Sequence, residues 1–322
     1  MVKVSVCIPV YGVEKYIERC ARSLFEQTMT DGIEFIFVND CTKDNSIEIL
    51  EKVLEEYPHR KEQVKIIHHE KNRGLVAARN TGLEHATGDY IIHCDSDDWV
   101  DPNMYEEMYN KAIETDADMV YCQIMSHGFK KQPHIGYQEN IVSAKNYIIS
   151  MLKCQSHTGL VLKLIKKSIA ISSQIHIPDC ICMHEDTLRT VQMAYQCKKV
   201  AFASNVYYHY QFNNTSISNS KWRRHDFESI KQTIEILEEK LLPKEDFAEA
   251  LAGFKMEFLR CMIFHPEITN SAEFREYQKK YEMAKNIRFL ASSGKLRLLL
   301  HVSLFSYHMA VFVTKCWKKY QH

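Results

Sequence analysis

The run Asp95-Ser96-Asp97-Asp98 places three carboxylates in four positions, directly after the apolar stretch Tyr90–His93. Such a cluster repels itself unless a cation is shared. Hard oxygen donors in that arrangement suit Mg2+ or Mn2+ carrying water and a phosphate-bearing ligand. A helix N-terminus also favours acids, and Asp101-Pro102 opens one. Capping accounts for Asp101 and Asp98 but does not require Asp95 and Asp97. Polar residues follow the other apolar runs in the same manner: Pro9-Val10-Tyr11, Asn39-Asp40-Cys41-Thr42-Lys43-Asp44, Asn72-Arg73-Gly74, and Ala78-Arg79-Asn80-Thr81-Gly82. Further along, Glu185-Asp186-Thr187 opens a helical pattern, and His209 sits in Tyr207-Tyr208-His209-Tyr210.

The elements that must carry these residues alternate. Val4–Val10 reads as a strand, followed by a helix over 13–27. A strand over 34–38 leads to a helix from 44–46 to 57, and Val64–His68 to a helix over 75–86. Tyr90–His93 precedes a helix over 103–115, and 119–124 is a fifth strand. Strand–helix repeats of this length predict βαβ units and a mainly parallel sheet covered on both faces. In such sheets ligands bind beyond the carboxyl ends of the strands, which is where the polar residues fall. From 126 to 220 the pattern is less regular, with a helix over 187–196, strands over 200–203 and 206–210, and a polar loop over 211–220. Beyond 221 everything reads as helix: 222–242, 245–265, 273–290 and 295–320.

Taken together, these residues resemble the GT-A glycosyltransferases of family 2. The resemblance rests on Pro9-Val10-Tyr11-Gly12, Asn39 to Asp44, Asn72-Arg73-Gly74-Leu75 with Ala78 to Gly82, Asp95-Ser96-Asp97-Asp98 as a DxD-type motif, and Glu185-Asp186. It spans about residues 2–215, and five motifs in order are far more specific than any one alone. Two positions depart from the family pattern: Gly12 stands where Asn is usual, and Asn39 where Asp is commoner.

The resemblance implies an α/β GT-A fold, with a catalytic domain over 1–220 (nucleotide-binding half about 1–125, acceptor half about 126–220) and a helical region over 221–322. It implies an inverting transfer from a nucleoside-diphosphate sugar, a UDP-sugar first, to a glycan or lipid-linked glycan. Pro9, Tyr11 and Asp40 would hold the base, Arg79 would lie near the diphosphate or base, and Asp95 would meet the ribose. Asp97 would hold Mn2+ or Mg2+, with His209 closing the metal site. Asp186 would act as catalytic base, with Glu185 its rival; adjacent helical residues diverge by about 100°, so one of them faces the crevice. His184 is a further candidate. The polar loop over 211–220 corresponds to a segment that orders over the donor and excludes water.

Composition bounds the alternatives. Lys plus Arg equals Asp plus Glu at 41 each, which gives no electrostatic pull toward nucleic acid. Low Gly (10) and Pro (7) exclude collagen-like and low-complexity chains. The 11 cysteines are scattered without a CxxC pair, so reduced thiols serving as small hydrophobes are expected. The first ten residues read as a strand rather than a secretory leader, and the expected compartment is the cytoplasm. Residues 283–322 hold seven Lys or Arg and no Asp or Glu, a pattern suited to the inner face of a membrane, or to a helix packing its apolar face on the catalytic domain or on a second subunit. Nucleotidyl transfer would need a Gly-rich basic loop after the first strand, and Gly12-Val13-Glu14 does not supply it. The remaining alternative is a sugar-nucleotide-binding or scaffold subunit that has lost the chemistry.

Overall fold

All seven side chains of β1 (Val4–Val10) are buried, as are six of the seven in β2 (Ile33–Asn39). Continuous β-branched and aromatic runs of this kind belong to strands covered on both faces. The computed structural model describes residues 1–127, 132–134, 141–172, 181, 184–212, 223–241, 245–289 and 294–319. The further strands are β3 (Val64–His68), β4 (Tyr90–His93), β5 (Trp99–Val100), β6 (Met119–His127), β7 (Gln132–His134), β8 (Ile141–Ser143), β9 (Lys163–Lys166) and β10 (Lys199–Gln211). The helices are α1 (Ile17–Phe25), α2 (Ser46–Glu56), α3 (Leu75–His85), α4 (Met104–Thr115), α5 (Ala144–Leu152), α6 (Lys167–Ser172), α7 (Glu185–Gln196), α8 (Arg224–Leu241), α9 (Ala248–Phe264), α10 (Ser271–Lys280), α11 (Met283–Asn286), α12 (Gly294–Phe305) and α13 (Tyr307–Lys319).

The main path of the sheet runs β3-β2-β1-β4-β9-β6-β10-β5. The first four strands are parallel, as the alternating pattern predicts. Beyond β4 the sheet is mixed: β9 enters antiparallel to both β4 and β6, while β6 and β10 pair in parallel. The two short strands expected over 200–210 are one strand with register shifts between Phe202 and Tyr208.

The chain divides into two compact units: 1–145 with 159–175 and 192–216, and 146–158 with 176–191 and 217–322. In the first unit, Val4, Val6, Ile8 and Val10 face a core completed by Ile17, Leu24 and Phe25 of α1 and by Met104, Tyr105 and Met108 of α4. The opposite face of β1 is approached by α3, where Gly82 is required. A Cβ there would lie 2.9 Å from that of Cys7.

That face also buries Glu34, whose Oε1 accepts from the Ser5 hydroxyl (2.6 Å) and the Thr87 N–H (2.6 Å), while Oε2 meets Lys65 Nζ at 2.8 Å. Burial alone would push its pKa up. The Lys65 ammonium and these donors outweigh burial and hold it below the ordinary glutamate value. A folded-state pKa below the unfolded value of about 4.3 stabilises the fold above that pH and loses the contribution as pH falls through the folded value. Urea titrations should therefore show Glu34→Gln destabilised by roughly 1–3 kcal/mol at pH 7, the gap narrowing below pH ~4. A gap constant with pH would refute this account.

The helical unit differs from expectation at its breaks. The run expected over 273–290 splits into α10 and α11 at Glu282, which takes a left-handed φ of 46°. The run expected over 295–320 is interrupted at Ser306. Its core is an aromatic cluster in which Phe227 stacks on Phe258 at 4.7 Å and Tyr277 meets Phe258 edge-on at 5.5 Å. All nine cysteines among the described residues are free thiols, most of them buried.

Candidate active site

The carboxyl ends of β1, β2 and β4 are tied into one rim by side chain to backbone hydrogen bonds. Ser96 Oγ donates to the Pro9 carbonyl (2.7 Å), fixing the β4 end against β1. Gly12 N donates to Thr42 Oγ1 (2.9 Å), and the N–H groups of Val13 and Glu14 go to Ser46 Oγ (3.1 Å) and Asp44 Oδ2 (3.0 Å). These bonds hold residues 13–16 in a turn, so α1 starts four residues later than the sequence predicts. Gly12 has φ +69°. That left-handed conformation is nearly strain-free only for Gly and tolerated by Asn, which accounts for glycine at this departure from the family pattern. Tyr11 next to it is 52% exposed, leaving its ring face open to a ligand.

Asp40 is buried and heavily engaged. Its Oδ1 accepts from Arg73 N (2.8 Å) and meets His69 Nδ1 (2.7 Å), and its Oδ2 accepts from Gly74 N (2.7 Å). His69 Nε2 continues to Thr81 Oγ1 at 2.9 Å. Asp40 thus fixes the β3–α3 connection in the segment Asn72-Arg73-Gly74 and ties it to α3. His69 is a member of this group that sequence reasoning missed; a histidine following His68 at a strand end carries no distinguishing spacing.

Asp95 and Arg79 are brought together, with Arg79 Nη2 3.0 Å from Asp95 Oδ1. The Arg79 side chain is 3% exposed and that of Asp95 34%, so the pair presents its acidic member outward. Asp98 points the other way. It is buried, accepts from the Tyr208 hydroxyl (2.6 Å) and Gln211 N (2.7 Å), and Tyr208 Oη in turn accepts from Asp95 N (3.2 Å). Burial, then the Asp97 and Asp95 charges, push its pKa well above the usual carboxylate range. Of the three acids, Asp98 is therefore a brace linking the turn to β10, while Asp95 and Asp97 remain partly exposed at the rim. The Asp97 carbonyl accepts from Arg19 (3.3 Å), whose guanidinium lies 3.7 Å over the Trp99 ring and also reaches Gln211 Oε1 (3.0 Å). Nothing in the sequence spacing marks Arg19.

His209 lies at the antiparallel pairing with Trp99. Its Nε2 meets Asp101 Oδ1 at 2.7 Å, its Nδ1 meets His127 Nε2 at 2.9 Å, and its ring stacks on Trp99. Both nitrogens are thus committed to protein partners in this arrangement. Among the described residues, no group of three His, Cys, Asp or Glu side chains is placed to hold a metal ion by itself. The partly exposed carboxylate of Asp97 offers oxygen donors of the type that suits a hard cation completed by phosphate and water. The loop expected over 211–220 lies outside the described residues from 213 onward.

In the second unit, His184 takes a left-handed φ of 63° and its carbonyl accepts the first α7 bond, from Leu188 N (3.0 Å). Its Nδ1 meets Thr187 Oγ1 at 3.2 Å, which reaches Thr158 Oγ1 at 3.1 Å. Burial pulls the His184 pKa down, and the Asp186 charge partly offsets that. Glu185 and Asp186 are half-buried in the first turn of α7, where the helix dipole favours carboxylates.

Comparison with known proteins is consistent across sequence and structure. The model of Glycosyl transferase family 2 matches residues 5–167. The uncharacterized glycosyltransferase YibD of Escherichia coli (strain K12) is 29% identical over 67% of this chain and 63% of its own length. The chain thus spans just under two thirds of the length of the first curated relatives it matches. S. aureus TarS 1-349, crystallised with UDP-GlcNAc, superposes with a TM-score of 0.73 at 21% identity, covering 99% of this chain and 92% of that one. The mannosyltransferase PcManGT of Pyrobaculum calidifontis, in complex with GDP-Man and Mn2+, gives a TM-score of 0.54 at 16% identity over 98% of this chain and 88% of that one. Both likenesses establish the GT-A fold.

Proposed function

The chain belongs to glycosyl transferase family 2, and from that premise we propose that it transfers a sugar, with inversion, from a nucleoside-diphosphate sugar to a glycan or lipid-linked glycan. The donor is a UDP-sugar, a reading supported by the UDP-GlcNAc bound to TarS, which shares this fold. The observation that carries the proposal is the rim itself, where Pro9, Tyr11 and Asp40 of the first two strand ends sit in one bonded frame with the Arg79–Asp95 pair and Asp97. Tyr11 covers the base, Asp40 shapes the pocket through the 72–74 segment, and Asp95 takes the ribose hydroxyls. Asp186 removes the acceptor proton as the acceptor oxygen attacks the anomeric carbon opposite the departing diphosphate. Arg79 and Arg19 keep the acidic turn oriented. A divalent cation held by Asp97, Mn2+ or Mg2+, would neutralise charge on the leaving diphosphate; the Mn2+ in PcManGT supports that choice. Residues 1–220 would then be catalytic and 221–322 an appendage.

Calorimetry of UDP with and without Mn2+ tests the donor site. Binding is expected to require the metal in the wild type and to be lost in Asp97→Asn. Tight binding indifferent to metal and to Asp97 would overturn the metal assignment. Absence of nucleotide binding would favour the scaffold alternative.

A further inference from the structure

Four of the ten large apolar side chains that stand exposed on the described residues lie in one stretch of α12 and α13: Leu298, Phe305, Met309 and Phe312. Phe305 is 90% exposed and Phe312 67%. At about 100° per residue, Leu298 and Phe305 fall within about 20° of each other on α12, and Met309 and Phe312 within about 60° on α13. The exposure is not that of loose helices. Leu299 and Leu300 of α12 and Tyr307 and Ala310 of α13 are buried, and the Tyr307 hydroxyl lies 3.1 Å from Thr269 Oγ1. Each helix therefore docks one face in the helical unit and leaves an apolar face outward.

The charge carried by this stretch of chain has one sign. Residues 283–322 carry seven Lys or Arg and no Asp or Glu. Lys295, Arg297 and Lys315 are exposed beside the apolar side chains, as are His301 and His308. A self-complementary pairing of two copies would oppose this basic surface to itself, which disfavours a second copy as occupant. A surface that is apolar below and anionic above matches both features. With 12 and 13 residues, α12 and α13 are each ~18–20 Å long, short of the ~30 Å hydrocarbon core. Among the described residues no helix is long and apolar enough to cross a membrane.

We propose that α12 and α13 form a docking surface for an anionic lipid bilayer. Leu298, Phe305, Met309 and Phe312 enter the boundary between headgroups and acyl chains, and Lys295, Arg297 and Lys315 lie among the lipid phosphates. This goes beyond the transfer reaction and does not depend on it.

Flotation of the full chain with phosphatidylcholine vesicles, and with vesicles rich in phosphatidylglycerol, tests the proposal. The chain is expected to float with the anionic vesicles only and to be released as salt is raised. Phe305→Ser with Phe312→Ser should weaken binding by at least about tenfold. Lys295→Gln and Lys315→Gln should each weaken it by about fivefold at low salt. Circular dichroism and the unfolding midpoint of each variant should match the wild type, since every altered side chain is exposed. Absence of flotation, equal flotation with neutral vesicles, or binding unaffected by folded variants of both kinds would overturn it. So would a concentration-dependent dimer in sedimentation that the Phe305 and Phe312 substitutions dissolve. UDP binding by the same preparations reports on the donor site separately.

Discussion

Asp186→Asn is expected to lower kcat by about 10²–10⁴-fold while leaving donor binding in place. The reasoning starts from α7, whose first two residues are Glu185 and Asp186. Adjacent positions diverge by about 100° around the helix, so on the proposed mechanism Asp186 serves the acceptor and Glu185 the dipole. The Asp186 charge acts on the His184 imidazole, whose Nδ1 meets Thr187 Oγ1 at 3.2 Å in the same helical turn. A proton acceptor needs a fixed position, because efficiency falls steeply with misplacement. Glu185→Gln should cost less than about tenfold if it acts only on the dipole, which is a modest contribution. Single-turnover kinetics with a UDP-sugar, paired with UDP calorimetry, separates the two. A large loss in Glu185→Gln with Asp186→Asn silent would exchange their roles.

Arg60→Met should destabilise the first unit by roughly 3–5 kcal/mol, read as a lower denaturant midpoint. Arg60 is 1% exposed, and none of its hydrogen bonds to the described residues goes to a carboxylate, although the Asp31 charge acts on it. It donates instead to the carbonyls of Phe25 (2.9 Å), Gln27 (2.6 Å), Met29 (3.1 Å) and Thr30 (3.3 Å), and to Gln63 Oε1 (2.8 Å). These carbonyls close α1 and the turn after it, where helix geometry leaves acceptors unpaired. Methionine matches the apolar stem and supplies no donor, so the acceptors are left buried or must admit water. Arg22 is the control. It makes a bidentate pair with Glu56 on the surface, and its removal should be nearly silent, since exposed pairs contribute little. Equal midpoints for Arg60→Met and wild type would show that water satisfies those carbonyls.

The motifs at the strand ends were legible because each is local: an apolar run followed at once by polar residues specifies both the strand and the rim. The partners within the rim were not legible in the same way. Asp98 is braced by Tyr208 and Gln211, more than a hundred positions away, and a sequence window cannot show which of three acids turns inward. Arg60 binds backbone carbonyls, which have no residue identity to recognise. The partners of His209, Asp101 and His127, are likewise distant in sequence and could not be read from the aromatic run that carries it. The four residues of β9 were equally invisible, because Lys-Leu-Ile-Lys is too short for its period to separate strand from helix. The break at Ser306 lacks both Gly and Pro, so the C-terminal helix read as continuous.

The placement of β9 bears on the order in which the molecule can assemble during synthesis. The three strands β1, β2 and β3, joined by α1 and α2, need only near neighbours and can pair as soon as they emerge. β4 closes on β1, but its other edge is paired by β9, which begins at residue 163. Until then the nascent chain carries a hydrophobic strand with an open row of N–H and C=O groups. Such an edge is a template for pairing with another chain. Synthesis between residues 93 and 163 is therefore an interval in which chaperone protection of the β4 edge matters, and the edge of β6 stays open longer still, until β10 emerges at residue 199.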